Sequence, residues 1–114
     1  MQGKEIKLQP SLSNLVNEIH AVNYSWKLAI EMFDNNYGLA QSLRDLKVRL
    51  QIRLLRSYAP EFVHLQIDQE TESEEALYSL KLSSPLNGYS DAAHLPIRVA
   101  EKILCPSELN QFLS

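Results

Sequence analysis

Apolar residues recur at Leu12, Leu15, Ile19, Val22, Trp26, Ala29 and Phe33 in alternating steps of three and four. That spacing predicts a long helix laying a narrow apolar stripe against a partner helix, in the same chain or in a second copy. Pro10-Ser11 supplies an opening, with Ser11 or Ser13 as N-cap. Asn35-Asn36-Tyr37-Gly38 supplies a stop in which Gly38 can take the left-handed conformation. Residues 1–9 carry no comparable pattern and are expected to be flexible.

The stretch LKVRLQIRLL, Leu46 to Leu55, fits two templates. As a strand it alternates, with Leu46, Val48, Leu50, Ile52 and Leu54 on one face and Lys47, Arg49, Gln51 and Arg53 on the other. Length and composition favour a helix. No glycine or proline interrupts Leu39 to Ala59, a run about three times the usual strand, and most of its residues are good helix formers. On a helical wheel Leu43, Leu46, Leu50 and Leu54 form one apolar face and Val48, Ile52 and Leu55 a second. Arg49, Arg53 and Arg56 lie between them.

After Pro60 the pattern changes. Glu61 to Asp68 and Ala76 to Leu82 are short alternating segments joined by an acidic loop, and they read as an antiparallel two-stranded hairpin. Ser83 to Ser90 reads as a loop around Pro85 and Asn87-Gly88. Ser90 or Asp91 then caps a helix through PIRVAEKIL to Leu104, Cys105-Pro106-Ser107 breaks it, and SELNQFL forms a last short turn. The expected fold is α+β: a long N-terminal helical hairpin, a two-stranded antiparallel β-hairpin and one or two short C-terminal helices. At 114 residues the chain fits a single domain, 1–114.

Charge narrows the function classes. Eleven Lys and Arg against fourteen Asp and Glu give a net charge of −3, without the basic field of a nucleic-acid or anionic-membrane binder. No apolar run is long enough for a membrane span, and no leader pattern opens the chain. A single cysteine leaves no internal disulfide and points to a reducing, cytoplasmic setting.

Candidate chemistry is sparse. Arg49, Arg53 and Arg56, with Arg44 and Lys47, form the one basic cluster, able in principle to contact phosphates or a nucleic acid. The plainer reading is a solvated helix edge, partly paired with Asp45 and with the acidic residues Glu70 to Glu75. His94 with Asp91 is the nearest approach to a catalytic pair. Cys105, behind Ile103-Leu104, is expected to be a buried structural thiol. His20, His64 and His94 share no metal-ligand spacing, and phosphate-cradling glycine motifs are absent. No catalytic residue, metal or cofactor is expected. The chain reads as a small cytoplasmic interaction or regulatory protein, self-associating and without catalysis. Trp26, Phe33, Val48, Ile52 and Leu55 are its contact candidates, and another protein or a second copy its partner. The alternative is a nucleic-acid-binding accessory protein using the basic face of the second helix.

Overall fold

Pattern length wins over alternation in Leu46 to Leu55: the stretch lies inside one helix, α2 (Gly38–Tyr58), which packs along α1 (Gln2–Met32). The structure, a computed structural model, describes residues 2–33, 38–68 and 75–113, apart from the side chains of 2–11. α1 therefore contains Pro10-Ser11 instead of starting there. Gly38 is the first residue of α2 and not a left-handed cap. Asn35, Asn36 and Tyr37, read above as part of the stop, and Glu70 to Glu74 of the acidic loop lie outside the described residues.

Three strands follow, not two. β1 (Val63–Ile67), β2 (Leu77–Leu86) and β3 (Tyr89–Pro96) form an antiparallel sheet in that order, with Leu65 opposite Leu80 and Tyr78 opposite Leu95. Ser83 to Ser90, expected as a loop, spans the end of β2, the β2–β3 turn and the start of β3. Asn87 and Gly88 both have positive φ, +53° and +84°, and link the Leu86–Tyr89 pair. This is the two-residue turn whose twist matches that of the flanking strands. Asn87 also docks the turn on α1, its Nδ2 donating to Ser13 Oγ at 2.7 Å and to Asn17 Oδ1 at 3.1 Å.

β3 was hidden from pattern reading by a bulge. Between the pairs Ser79–His94 and Lys81–Asp91, two steps along β2 are matched by three along β3, so the extra residue falls in Ala92-Ala93. Both alanines are buried, and Ala93 has φ +67°. Asp91, read above as a helix cap, instead accepts the Ala93 N–H on Oδ1 at 3.0 Å and fixes this kink. The helix expected after it is confined to α3 (Ile97–Ile103), and α4 (Pro106–Phe112) follows.

The core lies where the proximal half of the helical hairpin meets the sheet. α1 gives Leu12, Leu15, Val16 and Ile19, and α2 gives Val48, Ile52, Leu54, Leu55 and Tyr58. The sheet adds Val63, Leu65, Leu80 and Leu95, and the C-terminal helices Ala100 and Phe112. Towards the connection between the helices the buried residues are small, Ala29 and Ala40. At the opposite side of the sheet, Leu113 bridges the edge strand β1 at Leu65 in parallel.

Candidate functional site

The bulge determines where His94 goes. By adding a residue ahead of it, the kink places the buried pair Ala92-Ala93 inward and leaves the His94 side chain about half exposed. There its Nε2 stands 2.6 Å from Asp68 Oδ2, at the end of β1. Asp91, the expected partner of His94, is engaged elsewhere. His20 on α1 donates from Nε2 to the Asp91 carbonyl at 2.7 Å, lies 3.8 Å from its carboxylate, and stacks on Tyr89 with ring centroids 3.6 Å apart.

α2 brings two polar side chains into its buried face. Val48, Ile52 and Leu55 share that face with Lys47 and Gln51, because positions three and four apart project together. Gln51 is fully buried and donates from Nε2 to the Ala92 and His94 carbonyls, while its Oε1 has no partner. Lys47 is 5% exposed. Its Nζ donates to Asn23 Oδ1 at 3.2 Å and sits 4.4 Å from the centre of the Trp26 ring, a cation–π contact. Burial, and then the positive charges of Lys27 and Arg44, lower its pKa to about 8.

These groups meet at a cavity of about 330 Å³ between α1, α2 and the sheet end. Lys47, Trp26 and Asn23 line it from the helices, and His94 from β3. Val48, Leu77, Pro96 and Val99 supply apolar lining, and Asp45 and Glu75 supply acid groups. Glu75 is bound by Arg98 at 2.8 Å. Its described lining carries no hydroxyl or thiol nucleophile. The arrangement can hold a small molecule and offer it a cation and an aromatic face.

The sequence pattern singles out Trp26 as a contact residue, places Lys47 with the basic cluster on a solvated edge, and names Gln51 only on the polar side of the strand alternative. The signal available was their step of three and four from Val48 and Ile52. Val48, Ile52 and Leu55, offered as partner contacts, are 7%, 6% and 0% exposed and pack in the chain's own core. The second apolar face of α2 is therefore satisfied within the chain. Trp26 is half-buried at the cavity, and Phe33 is 50% exposed at the end of α1.

The basic cluster is divided. Arg56 is held by Glu108, with Nε to Oε2 at 2.9 Å, and reaches the Ile103 carbonyl, which ties α2 to the C-terminal helices. Arg49 and Arg53 are exposed beside an open cleft that also includes Ile103. Cys105 is exposed and not buried as expected, because it is the N-cap of α4 and not the last residue of a helix. The Ser107 hydroxyl and then the Glu108 backbone lower its pKa.

Among the described residues no group of three His, Cys, Asp or Glu side chains is placed to hold a metal ion, and no helix is long and apolar enough to cross a membrane. Comparison with family models, with curated proteins and with solved structures finds no match to this chain.

Proposed function

We propose that the chain is a protein-interaction module, without catalysis of its own, that pairs with a second copy through the outer face of α1. One observation carries this reading. Tyr24, Leu28 and Met32 recur every four residues and are 65%, 38% and 70% exposed. At about 100° per residue they share an arc of about 80°, on the side of the helix away from Leu12, Leu15, Val16 and Ile19. Ala21 continues the same arc as far as Asn17, which the β2–β3 turn engages through Asn87, and the strip carries no charge. Phe33 and Leu39, 50% and 47% exposed, extend the apolar surface at the far end of the hairpin.

An uncharged strip of this kind suits a two-fold contact, in which each copy presents the same patch and no like charges meet. The stripe that first suggested self-association, Leu12 to Ala29, is largely buried against the chain's own helix and sheet. Of the basic cluster a nucleic-acid role retains Arg49 and Arg53 on one face, since Arg56 is bound to Glu108, Lys47 is buried and Arg44 lines the cavity. Two cations in a chain of net charge −3 are a small footprint for a phosphate backbone.

Sedimentation equilibrium over a wide concentration range tests the reading. The expected result is a mass that rises toward twice that of the chain and falls back to the monomer in Leu28→Glu and Met32→Glu at unchanged helicity. A wild-type chain that stays monomeric throughout would overturn it.

A further inference from the structure

The cavity beside Lys47 asks for something the described residues do not provide. A buried ammonium is costly unless an anion sits against it, and the described contacts of Lys47 are the Asn23 amide and the Trp26 ring, with no carboxylate among them. The neighbouring charges that act on it, Lys27 and Arg44, are both positive and, after burial, help to hold its pKa near 8. Trp26, half-buried, lines the same cavity and offers a ligand an aromatic face. Val48, Leu77, Pro96 and Val99 give the lining an apolar part, and Lys27 and Arg44 add two further cations to it.

We propose that this cavity binds a small organic monoanion, a carboxylate on an apolar body, with the carboxylate against Lys47 and the body against Trp26. At about 330 Å³ the space is at the small end of ligand pockets, which start near ~300 Å³. Lys27, Arg44 and Lys47 against Asp45 and Glu75 leave the lining one net positive charge, which a monoanion balances and a multiply charged anion exceeds. No glycine lines the cavity, so a backbone cradle of the kind that holds phosphates is missing from its described lining. A single carboxylate supplies the missing counter-charge. Its apolar body gains the burial that Val48, Leu77 and Val99 offer. This site is independent of the outer face of α1, since it lies between the helices and the sheet end.

Trp26 is the only tryptophan of the chain, so its emission reports on this cavity directly. The probes are cyclohexanecarboxylate, cyclohexylmethanol as its neutral counterpart, and inorganic phosphate. The expected result is a saturable change in emission with the carboxylate, at least about tenfold tighter than with the alcohol, as a charge-assisted contact requires. Phosphate alone should give no saturable change. Lys47→Met should bring the carboxylate to the level of the alcohol, and the comparison of probes on the unmodified chain stands even if that variant folds poorly. Equal binding of acid and alcohol, equal binding of phosphate, or no saturable response in either the emission or the Trp26 indole N–H resonance would overturn the proposal.

Discussion

Gln51 reaches across from α2 and donates its Nε2 to two carbonyls of β3, Ala92 and His94, each at 3.0 Å. The two acceptors flank Ala93, whose φ of +67° marks the bulge. A strand that kinks inward loses part of its ladder, and its freed carbonyls need a donor where water does not reach. One amide group serves both. It therefore couples the centre of the helical hairpin to the element that carries His94.

Gln51→Leu keeps the volume but removes the donor. It leaves two carbonyls without their partner, and the expected cost is about 2–4 kcal/mol, from the penalty of unsatisfied buried polar groups. Urea denaturation followed by circular dichroism checks it. A loss below about 0.5 kcal/mol would mean that water replaces the amide.

Ala93 provides a second handle on the same kink. A left-handed backbone costs an L-residue about 1–2 kcal/mol, a strain that glycine relieves. Ala93→Gly is expected to change stability by less than about 1 kcal/mol, since it also removes a buried methyl group. Ala93→Val should destabilise by about 2 kcal/mol or more, because a β-branched side chain tolerates this conformation worst. Equal effects of the two substitutions in thermal melts would contradict the assignment of a strained kink.

Lys47 should make stability depend on alkaline pH. Its folded pKa of about 8 lies below the ordinary 10.5, so between those values the unfolded chain binds the extra proton. Stability therefore rises as pH increases through that window, by up to about 3 kcal/mol at 1.36 kcal/mol per unit. Below about pH 8 both states are charged and the full penalty is present. Lys47→Met should be more stable than the parent at pH 7, with the gap shrinking by pH 10. A pH-independent gap in denaturation midpoint would show that the buried charge is not the cause.

Arg56 and Glu108 should behave as one unit with Cys105. Glu108 accepts from Arg56 and from the Cys105 backbone N–H, closing the start of α4. Its carboxyl is held below the ordinary range, chiefly by Arg56, so its contribution is present above that range and lost as pH falls through the folded value. In a double-mutant cycle, Arg56→Ala and Glu108→Ala should be less than additive at neutral pH and additive in acid. Native Cys105 should alkylate readily at neutral pH, and Ser107→Ala should slow it, since the Ser107 hydroxyl is the leading cause of its lowered pKa. Protection of Cys105 until unfolding would contradict its exposure.

The helices were legible because their signals were long. Twenty residues without glycine or proline, Leu39 to Tyr58, outweigh nine residues of alternation. β3 was not legible, because Ala92-Ala93 breaks the two-residue period and Pro85 within β2 suggests a loop. The Asn87-Gly88 turn is visible in the sequence, but the pattern shows no strand after it. At the candidate site, Trp26 could be named from its stripe. Lys47 and Gln51 could not, since charge and amide groups default to solvent unless a tertiary partner draws them in. His94 was paired with Asp91 on sequence nearness, whereas its contact with Asp68 depends on how β1 and β3 are brought together across β2.

The single bridge from Leu113 to Leu65 matters for more than local packing. β1 is an outer strand of five residues, and Leu65 is its middle one. An incoming strand from another molecule would have to displace the segment after α4 before it could extend the sheet there. The last turn of the described chain thus works as a stopper against runaway stacking. A truncation after Leu104 would expose that edge and leave its unpaired backbone groups open to a strand from another molecule.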